Sequence, residues 1–259
     1  MYKTILSDKS GNVLKITLNR PEVYNAFNTD MLTELQDAFK KASYDSEVRC
    51  VILTGAGRAF CSGQDLKDFN EKKLTFKEAL EQKYNPLIKQ IAFLPKPVIC
   101  AINGVAAGAG ISLVLACDYR IAVESAVLTE VFINIGLVPD SGSSFFLPRI
   151  AGYSRSFELC STGEKITASY GKEIGIINKI VYSPSLLMKC AEIKAKKFAD
   201  SPTVAIGLIK SILNKSFESN LDEILSEESK NQETAGNTSD FREGINSFLE
   251  KRKPEFKGK

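Results

Sequence analysis

The chemistry this chain can do narrows to one carboxylate and two glycine-rich turns. Asp140 sits in Ile135-Gly136-Leu137-Val138-Pro139-Asp140-Ser141-Gly142, in a chain of 259 residues that contains no histidine. The first glycine turn runs Gly55-Ala56-Gly57-Arg58-Ala59-Phe60-Cys61-Ser62-Gly63-Gln64-Asp65. The second runs Asn103-Gly104-Val105-Ala106-Ala107-Gly108-Ala109-Gly110 into the helix-like Ile111-Ser112-Leu113-Val114-Leu115-Ala116. Small residues let a ligand approach the main chain, and glycine permits positive φ. A helix start offers unpaired N–H groups and the positive end of the dipole to a developing negative charge. One acid beside such an anion site suits moving a proton within a substrate. It suits activating water poorly. Plainer readings stay open: Gly-x-Gly runs also serve close helix–strand packing, and Pro-Asp-Ser-Gly is a good β-turn sequence. Ser62 and Cys61 have no histidine to activate them, which argues against a nucleophile.

Composition sets the frame. Hydrophobic residues make up 44% and charged residues 25%, ordinary for a globular protein with a sizeable core. A formal charge of +3 is too small to argue for a nucleic-acid partner. The cysteines at 50, 61, 100, 117, 160 and 190 form no Cys-x-x-Cys pair and mostly lie in apolar runs, so buried free thiols are expected and a metal site is not. Met1-Tyr2-Lys3-Thr4 lacks a signal-peptide layout, and no apolar run reaches the ~18 residues of a membrane span. The expectation is a cytoplasmic protein.

Strand and helix signals alternate through the first half. Val13-Leu14-Lys15-Ile16-Thr17-Leu18 reads as a half-buried strand, and residues 29–42 as an amphipathic helix carrying Met31, Leu35, Ala38, Phe39 and Ala42. Val48 to Thr54 and Val98 to Ile102 read as buried strands, with a helix over 76–93 ended by Pro95 and Pro97. This alternation predicts an α/β fold. From about residue 152 the pattern turns to successive helices, with a start signal at Ser201-Pro202 and apolar spacing again at Phe241, Ile245, Phe248 and Leu249. Residues 1–200 are expected to form the core and 201–259 a helical extension.

Taken in order, Asn19-Arg20-Pro21 with Asn25-Ala26-Phe27, then Phe60-Cys61-Ser62-Gly63-Gln64-Asp65-Leu66, then Pro97 through Gly110, Ile135 through Gly142, and Asp240-Phe241-Arg242-Glu243-Gly244 to Lys251-Arg252 resemble the crotonase (enoyl-CoA hydratase/isomerase) superfamily. The resemblance covers essentially the whole chain. Within the family, the Gly-Gln-Asp-Leu, Asn-Gly-Val-Ala-Ala-Gly-Ala-Gly and Ile-Gly-Leu-Val-Pro-Asp-Ser-Gly segments look most like the ring-epoxide isomerases of phenylacetate breakdown. The resemblance implies a crotonase-like spiral of ββα units with a C-terminal helical region that makes trimers, commonly paired into hexamers. It implies a CoA thioester as substrate, with no separate cofactor.

Carried over residue by residue, the resemblance makes the backbone N–H groups of Gln64 and Ala109 an oxyanion hole for the thioester. Family hydratases carry two glutamates where this chain has Ser112 and Phe132, which puts hydratase activity in doubt. Asp140 matches the acid of several family isomerases, so the expected reaction is a double-bond shift through an enolate. Val23, Asn25, Ala26, Ser62, Gly63, Asp65, Leu66, Gly108, Phe132 and Pro139 are expected around the substrate, with Asp65 shaping the loop for the adenine end of CoA and Phe132 lining the acyl pocket. Lys251 could meet a phosphate of a neighbouring subunit's CoA, although such a basic tail is usually solvated. Glu130, offset by two residues from the hydratase position, reads as a surface or rim acid. A weak or atypical hydratase and a non-catalytic acyl-CoA- or RNA-binding scaffold are the alternatives.

Overall fold

The computed structural model describes residues 2–68 and 75–259. Strand β1 (Ile5–Ser10) turns at Gly11 into β2 (Val13–Leu18), whose Leu14, Ile16 and Leu18 face the core while Val13, Lys15 and Thr17 are only partly covered. Helix α1 (Thr29–Tyr44) starts where the Asn28 side chain accepts the Met31 N–H at 2.9 Å, and it buries the predicted apolar stripe. Strands β3 (Cys50–Gly55) and β5 (Val98–Ile102) are unbroken apolar runs, as parallel strands covered on both faces must be.

Each long strand is followed by a short one that leaves the first sheet. Strands β4 (Ala59–Cys61), β6 (Val105–Ala107) and β8 (Val127–Thr129) succeed β3, β5 and β7 (Tyr119–Val123), and each pair leads into helical structure. Between β4 and β5 lie α2 (Phe76–Ala79), a π-helical turn at Leu80–Tyr84 and α3 (Asn85–Ala92). Helix α4 (Ala109–Leu115) follows β6, and a 3₁₀ segment at Val131–Ile135 followed by α5 (Ser143–Ala151) succeeds β8. Among the described residues the large sheet has the order β1-β2-β3-β5-β7-β10, closed by β10 (Lys179–Val181), and the small sheet the order β4-β6-β8-β9, closed by β9 (Ile166–Thr167). This spiral of ββα units sets the carboxyl ends of β4, β6 and β8 side by side, and the site forms there.

The second half departs from the all-helical expectation. Helices α6 (Tyr153–Thr162), α7 (Ala168–Glu173) and α8 (Pro184–Ala199) are there, but β9 and β10 lie among them and extend both sheets. Strands this short carry no readable period. Beyond them, α9 (Thr203–Lys215), α10 (Leu221–Gly236) and α11 (Ser239–Leu249) form the C-terminal helices. They are tied to the core: Lys210 pairs with Asp118 at 2.8 Å, and Arg49 donates to Ser201 O, Thr203 Oγ1 and Phe256 O at 2.6, 2.8 and 2.9 Å. The extreme C-terminus is anchored as well. The buried Asp240 carboxylate accepts the N–H groups of Lys257 and Gly258 at 2.6 and 2.7 Å, so the expected solvated tail is in fact tethered beyond Lys253.

Candidate active site

The first wall is the turn after β4. Phe27 donates its N–H to Gly63 O at 2.7 Å and accepts from the Asp65 N–H at 2.9 Å, so a one-residue parallel bridge pins Phe27 beside Gln64. In that pattern the N–H of Gln64 itself points away from Phe27. The loop below it is held by side chains that the sequence assigned to substrate. Asn25 is fully buried; its amide donates to Ala56 O and Ala59 O at 2.9 and 2.8 Å, and its oxygen accepts the Arg20 N–H. Arg20 in turn pairs with Asp65 at 2.9 Å. Burial would raise the Asp65 pKa, but the Arg20 hydrogen bond and charge, with the N–H groups of Asp68 and Lys67, hold it below the ordinary carboxylate value.

The second wall is the turn after β6. Gly108, at φ +53 and ψ −127, swings the chain so that Ala109 becomes the first residue of α4, where an N–H has no acceptor within the helix. Gly63, at φ +96, presses against this turn: a methyl there would sit 2.8 Å from Ala107 O and 3.6 Å from the Ala109 nitrogen. Gly110 is packed as closely, its methyl position lying 2.4 Å from Cys61 O. Glycine at 63 and 110 therefore lets the two turns touch, and it brings the Gln64 and Ala109 main chains to one place. The Cys61 thiol beneath them is pushed up to about 12 by burial and is no nucleophile.

The third wall comes from the end of β8 and the turn before α5. A cavity of about 260 Å³ is lined by Ser62, Gly63, Gln64, Leu66, Gly108, Ala109, Phe132 and Asp140 from the expected set. Asp140 is half-buried, and its Oδ1 accepts the Ser141 hydroxyl at 2.8 Å. Burial raises its pKa and the Ser141 hydrogen bond opposes the rise. Ser112, fully buried, turns its hydroxyl toward Asp140 O at 3.1 Å and Gly108 O at 3.3 Å, joining the helix that carries Ala109 to the turn that carries Asp140.

Val23, Asn25, Ala26, Asp65 and Pro139 stand behind or beside this cavity, not in its lining, and Lys251 is exposed just past α11. The sequence leaves the pocket walls to residues 68–90 without naming a contact there, and 69–74 of these lie outside the described residues. From that stretch Phe76, Ala79, Leu80 and Tyr84 line the opposite wall, where they meet Val131, Asn134, Ile135 and Leu137, none of which the sequence reading placed there. Leu80 and Tyr84 sit on the π-helical turn, a distortion that recurs at functional sites. The Tyr84 hydroxyl donates to the Gln64 side-chain oxygen. Glu130 is the clear correction: it is 0% exposed, and its Oε1 lies 2.8 Å from the Ser143 hydroxyl. Leu128 and Thr129 of β8 are both buried ahead of it and a 3₁₀ segment follows at Val131, so no strand alternation in the sequence marks Glu130 as inward.

Among the described residues no cluster of three His, Cys, Asp or Glu could hold a metal ion, and no helix is long and apolar enough to cross a membrane. What the walls offer is a small, mainly apolar cavity lined by Gln64 and Ala109 on one side and by the Asp140 carboxylate. Proteins of known sequence share this framework. The enoyl-CoA hydratase/isomerase family model matches residues 8–259. A 1,2-epoxyphenylacetyl-CoA isomerase of Escherichia coli is 43% identical over 263 residues, covering 100% of both chains. A probable enoyl-CoA hydratase of Rhodobacter capsulatus is 40% identical over 258 residues, covering 100% of this chain and 99% of the relative. The crystal structure of an enoyl-CoA hydratase from Bacillus anthracis superposes with a TM-score of 0.93 at 35% identity, covering 99% of this chain and 100% of that one. With the ββα spiral and the full-length matches in agreement, this chain belongs to the enoyl-CoA hydratase/isomerase family of crotonase-fold enzymes.

Proposed function

We propose that the enzyme isomerises unsaturated or ring-derived acyl-CoA thioesters, with Asp140 as the single proton carrier and the Gln64 and Ala109 N–H groups as the oxyanion hole. One observation carries the reading: among the described residues lining the cavity, Asp140 is the sole carboxylate. In a 3-enoyl thioester the Asp140 carboxylate takes a proton from C2, and the C–H electron pair moves into the thioester carbonyl to give a dienolate. The two N–H groups stabilise the oxyanion, and a lost donor of this kind costs ~10²–10³ in rate. Protonated Asp140 then returns the proton to C4, leaving a double bond between C2 and C3. Partial burial makes this carboxylate a better base than an exposed aspartate.

The cavity of about 260 Å³ exceeds the ~150 Å³ that accepts a benzene. Its size and the Phe132, Leu80 and Tyr84 walls favour a short acyl chain or a single ring. A ring substrate would place the enzyme in aromatic, phenylacetate-type degradation, and a straight chain in fatty-acid metabolism. The name of the Rhodobacter relative favours a second reading, hydration. That reaction asks for an acid and a base around a water, and Ser112 and Phe132 supply neither. The test is double-bond migration in a 3-enoyl-CoA, hydration of crotonyl-CoA, and α-carbon deuterium exchange, each with the parent and Asp140→Asn. Fast hydration that survives the substitution would reverse the assignment.

Exposed Ile209, Leu213, Leu221, Leu225, Phe241 and Phe248 on α9–α11, with Phe217 between α9 and α10, support residues 201–259 as a trimerisation region, in a trimer or a dimer of trimers. In such an assembly Lys251 would be free to meet a neighbour's CoA phosphate. We place the enzyme in the cytoplasm, with no nucleic-acid or membrane partner.

A further inference from the structure

Behind the cavity runs a buried row of hydroxyls that ends on an acid. Glu130 Oε1 lies 2.8 Å from Ser143 Oγ, Ser143 Oγ lies 2.8 Å from Ser112 Oγ, and Ser112 Oγ lies 3.1 Å from Asp140 O. Glu130, Ser112 and Ser143 are each 0% exposed. The second carboxyl oxygen of Glu130, Oε2, is buried and has no hydrogen-bond partner.

Counting protons decides the state of this row. Three oxygen–oxygen contacts run from Glu130 to the Asp140 carbonyl. An ionised Glu130 leaves only the two serine protons for them, so one pair of oxygens would face each other with no proton between, beside a carboxylate with a bare buried oxygen. A neutral Glu130 supplies the missing proton. Glu130 then donates to Ser143, Ser143 to Ser112, and Ser112 to Asp140 O, and each of the three is a hydrogen bond; Gly108 O, 3.3 Å from the Ser112 hydroxyl, is already served by the Ile111 and Ser112 N–H groups. The Asp140 carbonyl, which also accepts the Ser143 N–H at 3.0 Å, uses both of its lone pairs.

We propose that Glu130 is a positioning residue for the proposed isomerase reaction: as a neutral acid it heads a one-way hydrogen-bond chain through Ser143 and Ser112 that fixes the turn carrying Asp140. The inference rests on the Asp140 reading above. The surroundings agree. Burial first, and the nearby Asp140 charge second, raise the Glu130 carboxyl to about 7 against the pull of the Ser143 hydroxyl. The other titratable group facing it is the Cys160 thiol of α6, itself pushed up to about 11 by burial and by Glu130. Neither neighbour is a cation. When Glu130 ionises, the chain must reverse at Ser143, the Ser112 proton is drawn away from Asp140 O, and the turn loses its tie to α4.

The test has two arms, both on the full-length enzyme. Infrared spectroscopy of protein labelled with ¹³C-glutamate should show a protonated carboxyl band at about pH 6, below the raised pKa. The band should be absent from Glu130→Gln and present in Asp140→Asn. In kinetics, Glu130→Leu and Ser143→Ala should each lower kcat about tenfold, the weight of one hydrogen bond, with KM nearly constant. Glu130→Gln, whose amide N–H can stand in for the acid proton, should restore kcat and remove the alkaline fall of the parent profile near the carboxyl's pKa of about 7. The proposal is overturned if the band is missing at that pH, or if Glu130→Gln is as impaired as Glu130→Leu. Failure of the Asp140 reading looks different: Asp140→Asn would keep exchanging the α-proton while the band stays in place.

Discussion

Gly63→Ala isolates the contact between the two glycine turns. The residue sits at φ +96, and the added methyl would meet Ala107 O at 2.8 Å and the Ala109 nitrogen at 3.6 Å. The left-handed backbone alone costs roughly 1–2 kcal/mol for alanine. The carbonyl clash cannot be relieved by a side-chain rotation, since both partners are main chain, so the turns must part by several tenths of an ångström. Together the destabilisation should be about 2–3 kcal/mol, a fall in Tm of ~5–10 °C for a chain of this size. Parting the turns moves the Gln64 N–H away from the Ala109 N–H, and misplacement of a preorganised group on the ångström scale costs ~10² in rate. The assay is α-carbon deuterium exchange of a bound acyl-CoA, read with thermal unfolding. Gly11→Ala is the matched control: its φ is +55, nothing lies within 4 Å of the new methyl, and it is far along the chain from the cavity. It should lose about 1 kcal/mol of stability and none of the exchange. If Gly63→Ala shows the expected loss of Tm but exchanges at the parent rate, the two amides are not the oxyanion donors.

Other consequences follow from the same geometry. Asp140→Asn should abolish isomerisation by ~10³ or more, in the range for a lost general base, while leaving acyl-CoA binding by calorimetry nearly unchanged. Stability should depend on pH with a definite sign. The Glu130 carboxyl rises from 4.5 to about 7 on folding, so the folded state holds a proton that the unfolded chain releases, and stability falls as pH rises through that window. The fall is at most about 3 kcal/mol and levels off above the raised value. Urea titrations across the window should show it in the parent and show most of it gone in Glu130→Gln. Arg20→Met leaves Asp65 without its 2.9 Å partner; the loop loosens, the Asp65 pKa rises, and KM should grow about tenfold at constant kcat, as for a lost charged hydrogen bond. Tyr84→Phe removes only the partner of the Gln64 side-chain oxygen. If the Gln64 main chain does the work, kcat should change by less than about fivefold.

Much of this was legible before any coordinates. The period-2 run Val13–Leu18, the buried run Val98–Ile102 and the stripe Met31, Leu35, Ala38, Phe39 and Ala42 became β2, β5 and α1, because each buries one face that the pattern marks. The turns at 55–65 and 103–110 were legible because only glycine tolerates their close approach. What escaped depends on neighbours distant in sequence. Strand β10 owes its existence to pairing with β7, since its three residues have no periodicity of their own. Asn25 and Asp65 look like ligand contacts in a loop, yet their side chains are consumed by Ala56, Ala59 and Arg20. Glu130 was misjudged because its two-residue offset from the hydratase position says nothing of its burial, which depends on Ser143, 13 residues away.

The two acids of the site are set apart by what each can reach. Two carboxyl groups that feel one another cannot ionise equally, and the environment decides which keeps the charge. Asp140 opens onto the cavity and accepts the Ser141 hydroxyl, so its ionised form has both a donor and a route to substrate. Glu130 has no opening, one serine on Oε1 and nothing on Oε2, so its cheaper state is the neutral one. Each choice reinforces the other: a neutral Glu130 adds no repulsion to the Asp140 carboxylate, and an ionised Asp140 adds a little to the burial that raises the Glu130 pKa. A second acid can therefore sit beside this site without making it a two-acid hydratase. In the proposed chain its proton goes to Ser143, at the head of the row that ends on the Asp140 carbonyl.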